Sequence, residues 1–507
     1  MLRLATAIGT LLLLQDPVDN ELKEFKGLLE ALRTAREGGK KETGDLLQKA
    51  VEENFLKSLD AITKARKASD VEARKRAEGV AAEMLTALIG QAASLASIQD
   101  TEVAGRFFRR IIQTTGLQEA EIVKLHSVAK KAISDRLIKA KSPDGYRSII
   151  PPSLPESENA AEFYTQALSK GKELFPDIKQ LKEFTSKLSA RSDDRIATAN
   201  EFIKVISPVI ELIRKGSERK ACRFPFDYRG GKEGFELEPY PMELLTQALK
   251  LSALAHSVLG DHSAARKMCT LHARFISWND GEPDLGLALL TCATIASLKE
   301  SVEHIFSQDP PPAADVGALE KALKRIDPRK MFTRGFQGEG PFAVAVIEKA
   351  TSPNSESSWP LAVQAILLEE LVPVLDTNLQ ILDLVSHNYQ KTMVQIEAIK
   401  TGMDATSIGI LTFTPQPSAL LSMYKAMAHL TLLEIAVAIY RYHNEHGRIP
   451  ESLKELCPKY MDQLPIDPYT GDSIGYEGGS VYSVGRNGRK DDSADSGDDI
   501  QLRVTKR

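Results

Sequence analysis

Cysteine is scarce in this chain: four in 507 residues, at Cys222, Cys269, Cys292 and Cys457, with no Cys-x-x-Cys pair among them. That spacing excludes a disulfide scaffold and the common zinc and redox motifs. Cys269 and Cys292 fall among apolar helical residues, where a thiol behaves as a small hydrophobe. An oxidising compartment would still allow a disulfide. Charge of one sign is equally lacking. With 65 Lys and Arg against 69 Asp and Glu, the net charge of -4 offers no basic surplus for general nucleic-acid binding.

Catalytic fingerprints are missing as well. No Gly-x-Ser-x-Gly, Walker loop, His-Glu-x-x-His or dinucleotide motif stands where a strand-to-helix context would support it. The paired acids Asp193-Asp194 and Glu369-Glu370 are adjacent, and adjacent residues on a helix do not face each other, so neither makes a carboxylate dyad. Lys425, His429 and Glu434 break up the apolar run near the C-terminus and Arg441 arrives too soon for a membrane span of roughly 20 residues; the mature chain is expected to have no span.

What is there begins with a leader. Arg3 gives a positive start, residues 4–14 are apolar apart from Thr6, Gly9 and Thr10, and Gln15-Asp16-Pro17 ends the run. That is the length and polarity of a secretory signal. Residues 1–17 are expected to direct export to the periplasm or beyond, with cleavage left open because Leu12 and Leu14 stand where small residues would be favoured.

From Val18 onward apolar residues recur at helical spacing. Leu47, Val51, Phe55, Leu59 and Ile62 form one stripe, and Ile122, Leu125, Ala129 and Ile133 another. Pro143 and Pro151-Pro152 mark a break, so an N-terminal helical region is expected over 18–150 and a central one over 151–412. Leu244, Ala248, Leu251, Ala255 and Val258 make the best-formed helix, closed by Gly260. Asp261 can cap a following helix that buries Ala265, Met268, His272 and Phe275. This pair resembles a tetratricopeptide-type hairpin, although no sustained 34-residue period is visible. Further helices are expected over 285–306, 314–326, 341–350 and 360–400, the last kinked or divided at Pro373. The aromatic, glycine-rich stretch from Cys222 to Pro241 reads as a strap over the core or as a binding loop. His256, His262 and His272 share no metal-binding spacing. His443 and His446 suit the negative end of their helix.

The region 413–507 changes character. A helix over 432–446 ends at Gly447 and Pro450, a short helix over 451–457 ends at Pro458, and the 464–471 run with Pro465, Pro468 and Gly471 forms a rigid turn. Ile474 and Tyr476, a Gly478-Gly479 reversal and residues 481–484 read as a hairpin. Ile500, Leu502 and Val504 alternate as a last strand. Leu453, Leu456, Tyr476, Tyr482 and Ile500 are expected inside. Between the strands stand five aspartates, Asp491, Asp492, Asp495, Asp498 and Asp499, without the register of an EF-hand.

The succession Tyr440, His446-Gly447-Arg448, Pro450, Leu453, Leu456, Pro458, Tyr460, Leu464-Pro465, Asp467-Pro468, Gly471, Tyr476, Tyr482-Ser483, Gly485, Gly488 and Asp499-Ile500 resembles the globular part of major pseudopilins of type II secretion. It covers about the last seventh of the chain. Attached behind a large helical region, such a tail is also similar to uncharacterised envelope proteins of planctomycete-like bacteria. The pseudopilin resemblance implies that Asp491, Asp492, Asp495 and Asp498 hold calcium. The chain departs from the family at His429, which stands where a cleavage glycine would precede the Leu430-Thr431-Leu432-Leu433-Glu434 run, and at Lys425, Glu434 and Arg441, which break up the apolar helix, so the module is expected to lack the filament-forming part.

The expected fold is therefore mainly α, a helical-hairpin array followed by a small α+β pseudopilin-like domain. The expected function is that of an exported, non-enzymatic scaffold for a protein partner, associated with the envelope and carrying a calcium-binding tail. A component of a secretion or pilus-like apparatus stands as one alternative. An enzyme whose site no local motif reveals stands as another.

Overall fold

The computed structural model describes residues 119–144, 148–190, 194–224, 239–277, 282–308, 310–351, 361–385, 389–403, 416–491 and 498–505. The expected leader and the helical stripes before residue 119 lie outside them. The chain is mainly helical, with a three-stranded antiparallel sheet near the C-terminus. It divides into two compact units. One comprises residues 1–145, 343–379 and 399–414, and the other residues 146–342, 380–398 and 415–507.

In the first unit, α1 (Glu119–Lys139) buries Ala129, Ile133 and Leu137, which recur at four and four. Its Arg136 makes a two-pronged ion pair with Asp376, at 3.0 and 2.9 Å.

The second unit begins with α2 (Ala161–Leu174), α3 (Ile178–Ser189) and α4 (Arg195–Ser217). Phe175, Phe184 and Phe202 cluster between them, with ring centroids 5.1 to 6.4 Å apart. A Cβ at Gly216 would lie 2.5 Å from the Tyr164 ring, so the absent side chain is what lets α2 and α4 approach. The core continues into α5 (Pro239–Val258) and α6 (His262–Ile276). The turn between these two is as expected: Gly260 has φ +76° and the Asp261 carboxylate accepts from the Ala264 amide at 2.9 Å. Of the aromatic strap, Cys222 and Phe224 are buried in this core, while Phe226, Tyr228 and Phe235 lie outside the described residues.

Next come α7 (Leu285–Phe306), α8 (Ala313–Leu323) and α9 (Pro328–Thr351). The last departs from expectation by starting well before Pro341. Gly335, Gly338 and Gly340 read as breakers in sequence, yet a Cβ at Gly338 would fall 1.8 Å from the Pro283 carbonyl oxygen. Gly338, and Gly335 with its Cβ position 3.0 Å from the Leu285 Cα, serve close packing inside a helix. The expected 360–400 helix is two, α10 (Leu361–Leu384) and α11 (Tyr389–Met403). Pro373 lies within α10, and the break comes later.

The chain then enters α12 (Gln416–His446), a 31-residue helix rather than the shorter one expected. It packs on α7 and α8. Both α7 and α12 are long and apolar enough to cross a membrane, but 56% and 67% of their most apolar windows are buried inside the protein. The apolar run around Leu430 to Glu434 is thus core packing. After Gly447 (φ +67°) a single 3-10 turn, Leu453–Leu456, replaces the expected short helix. The Ser452 hydroxyl and Glu455 carboxylate cap it reciprocally. Strands β1 (Gly475–Glu477), β2 (Ser480–Ser483) and β3 (Ile500–Arg503) follow in sheet order, with Tyr476 opposite Val481 and Val481 opposite Leu502. Gly478 (φ +56°) and Gly479 (φ +76°) supply the two left-handed positions that a tight hairpin needs. Leu453, Leu456 and Ile500 are buried, whereas Tyr476 and Tyr482 are half-buried at the rim.

Candidate functional site: the carboxylate loop

The site rests on a carboxylate that the sequence reading passed over. Asp467, in the Leu464 to Gly471 turn, is only 2% exposed. Its Oδ1 accepts from the Tyr469 amide at 2.8 Å and the Ser483 hydroxyl at 3.0 Å, and its Oδ2 accepts from the Val484 amide at 3.0 Å. Its own amide donates to the Asp472 carbonyl at 2.7 Å and its carbonyl accepts from the Gly471 amide at 2.8 Å. An ionised carboxylate accepts only, and here three donors surround it, which is how a buried charge is tolerated. The result pins the proline-rich turn to the end of β2. The signal for this role was present: an aspartate between two prolines is an unusual choice for a merely stiff turn.

Beyond Val484 the chain turns at Gly485, with φ +63°. A Cβ there would lie 2.3 Å from the Asp498 carbonyl oxygen and 2.6 Å from Asp498 Oδ1, so only glycine lets the two ends of the loop meet. Asp498 Oδ2 then accepts from the Arg486 and Asn487 amides, at 2.6 and 3.2 Å. The Asp498 amide donates to Asp491 Oδ2 at 3.0 Å, and the Asp491 amide donates to Asp499 Oδ2 at 3.0 Å. Asp491 Oδ1 accepts from the Asn487 side-chain amide at 2.9 Å.

One oxygen from each of Asp491, Asp498 and Asp499 lies within 4.8 Å of the others. Asp498 Oδ1 and Asp499 Oδ1 are shut off from solvent and have no hydrogen-bond donor. The Asp499 carboxyl is pushed above its ordinary range by burial and by the charges of Asp491 and Asp498, against the pull of the Asp491 amide. Of the expected ligands, Asp491 and Asp498 are brought together. Asp499 joins them, while Asp492 and Asp495 lie outside the described residues.

Behind the loop stands an aromatic wall. Tyr469 is edge-on to Tyr389 at 4.9 Å, and Tyr389 is edge-on to Tyr424 at 5.2 Å. The Tyr424 hydroxyl pairs with Thr392 at 2.9 Å. Tyr469 is adjacent to the proline that follows Asp467, so the wall and the pinned turn are parts of one assembly.

Among the described residues the histidines are not gathered into a site. His272 is buried on α6 with both ring nitrogens unpaired, whereas His446 stacks on Tyr442 at 4.3 Å and meets the Tyr460 hydroxyl at 3.1 Å. At the end of α12, Glu455 accepts from the Tyr442 hydroxyl at 2.5 Å and from Arg448 at 2.9 Å. These bonds and the Glu451 and Ser452 amides hold its carboxyl down at about 2. The pattern of residues 442–456 is therefore a structural knot at a helix end. Comparison of the chain with protein-family models, curated proteins and solved structures finds no match.

Proposed function

We propose that the protein is an exported, non-enzymatic scaffold of the cell envelope whose C-terminal carboxylate loop takes calcium as a structural staple. The observation that carries the calcium reading is the pair of solvent-excluded, donor-less oxygens, Asp498 Oδ1 and Asp499 Oδ1, beside Asp491. Hard oxygens of this kind suit a hard divalent cation, and a backbone cradle with no room for a Cβ at Gly485 holds them in place. Asp491, Asp498 and Asp499 would hold the ion, and Asp492 and Asp495 could complete its shell. The ion would neutralise crowded charge and tie the start of the loop to β3.

The scaffold reading is supported by the preponderance of packed helices, including the tetratricopeptide-like pair α5 and α6. Such pairs in other proteins build surfaces for protein partners. The order of long helix, capped turn and three-stranded sheet supports the pseudopilin-like reading of the tail. Export rests on the leader at residues 1–17 alone. A role in a secretion or pilus-like apparatus is less favoured, because α12 spends its apolar face on α7 and α8 instead of on neighbouring subunits.

The test uses the full chain, since α12 shares a core with the preceding helices. A ligand bound only by the folded form adds RT ln(1 + [L]/Kd), about 2.7 kcal/mol at a hundredfold excess over Kd. Melting is expected several degrees higher in calcium than in chelator, and Asp498→Ala should erase that difference. Magnesium, smaller and reluctant to shed water, should substitute poorly. Equal melting temperatures in calcium and chelator would sink the calcium reading.

A further inference from the structure

The second unit also contains a cleft of about 460 Å³ between α8, α12 and the segment after the 3-10 turn. Glu434, Val437, Ala438 and Arg441 recur along α12 at three, one and three, which puts them on one stripe that floors the cleft. Leu323 of α8 faces them. The charges around this floor are unequally matched. Glu320 takes two cations on one oxygen, Lys324 at 2.8 Å and Arg441 at 3.3 Å. Arg441 also lies over the Tyr460 ring, 5.6 Å from its centre, and Lys459 is bound to Glu445. The cations that line the cleft are thus already engaged.

Two carboxylates are not so matched, Glu434 and the exposed Asp462. The Glu434 carboxylate makes no hydrogen bond or ion pair among the described residues, although it is half-buried in the floor. Burial raises its pKa, with Lys324 pulling weakly the other way. A partly desolvated acceptor that no protein group serves is left to water, and a donor held against it by the cleft would bind it more strongly. A metal ion is a poor candidate, because a hard cation wants six or more oxygens, Glu320 is already held by Lys324 and Arg441, and the next floor residues along α12 from Glu434 are the apolar Val437 and Ala438. An anion is poorer still, with the nearby cations spoken for. A compact donor with a short apolar stem fits both the lone carboxylate and the aliphatic walls.

We propose that this cleft binds a small aliphatic amine, its ammonium donating to the Glu434 carboxylate and its methylenes lying along Leu323, Val437 and Ala438. The site is separate from the carboxylate loop, and its fate does not depend on the calcium reading. Lys324, though held by Glu320, acts on the Glu434 charge through space, and its own positive charge opposes an incoming ammonium, so it tunes affinity.

Calorimetric titration of the full chain with n-pentylamine at neutral pH tests this. Saturable one-to-one binding is expected, weakened about tenfold or more in Glu434→Gln, as befits loss of one charge-assisted contact. Lys324→Gln should bind more tightly than the unaltered chain. n-Pentanol, with the same stem and no charge, should bind far more weakly than the amine. Circular dichroism reports whether each variant folds; should Glu434→Gln fail to fold, Lys324→Gln and the pentanol comparison still decide. Absence of saturable binding, undiminished binding in folded Glu434→Gln, unchanged or weaker binding in Lys324→Gln, or equal binding of pentanol would each overturn the proposal.

Discussion

At the scale of single residues, the informative side chains are buried polar ones, and they fall into two kinds. Asp467 is fully served, with three donors on its two oxygens. Asp467→Asn keeps the volume but turns an acceptor into a donor facing donors. The variant should lose on the order of 2 kcal/mol or more, read as a lower denaturation midpoint in urea. Ser483→Ala, which removes one donor and leaves the carboxylate two, should cost less. His272 and His429 are the opposite kind, with both ring nitrogens unpaired in each. Burial pushes His272 down to about 3, with Lys250 adding to the effect, and His429 down to about 4, with Lys299 and Lys425 adding. Since the unfolded chain titrates near 6.5, it takes up these protons first. The stability tied to the neutral rings is full above that pH and falls as the solution is acidified through 6.5 toward 4 and then 3. Each ring contributes about 1.4 kcal/mol per pH unit across its own window. His272→Leu should be no less stable at neutral pH, where it removes two orphaned nitrogens, and should show a shallower decline between pH 6.5 and 4.5. An acid profile identical to that of the unaltered chain would contradict this. The Tyr469 amide lies two residues from Asp467, but the Ser483 and Val484 donors and the absence of any partner for the two histidines could not be read from spacing, because they depend on residues distant in sequence.

Among the elements, local signals succeeded where the chain's own chemistry acts within a few residues. The α5–α6 turn is such a place. Gly260 takes a left-handed φ, and Asp261 caps the next helix through the Ala264 amide. Asp261→Ala should therefore cost about 1 kcal/mol, seen as a lower melting temperature with no change in helix content of the folded state. The Gly478-Gly479 hairpin and the start of α7 at Leu285, capped by Asp284, were legible for the same reason. Where a distant neighbour intervenes, the local reading failed. Three glycines and a proline between Gly335 and Pro341 argued for a break. The helix nonetheless runs through them, because Pro283 needs the space that a side chain at Gly338 would fill. Pro373 does not divide its helix, for it stays inside α10. The start of α12 was placed too late because Lys425, His429 and Glu434 broke the apolar pattern. His429 is in fact buried, and Glu434 lines the cleft instead of facing open solvent.

For the molecule as a whole, the tail is not a bead on a string. Strands β2 and β3 pack on α12, and α12 packs on α7 and α8, all within one compact unit. Events at the carboxylate loop should therefore be felt beyond the sheet: if calcium binds there as proposed, its effect on melting of the full chain is expected to be seen by a helical signal as well as by tyrosine fluorescence. By itself the sequence determined the helical class, most helix limits, the hairpin, the capped turns and the clustering of aspartates. All of these follow from residue periodicity, from the φ preferences of glycine and proline, and from charge, which act over a few positions. Only the tertiary structure decided that Asp499 joins Asp491 and Asp498, that Asp467 binds the turn to β2, and that Glu434 is left unpaired in a cleft. Each of those depends on atoms brought together from separate segments, and neither burial nor the presence of a partner exists until the chain has folded.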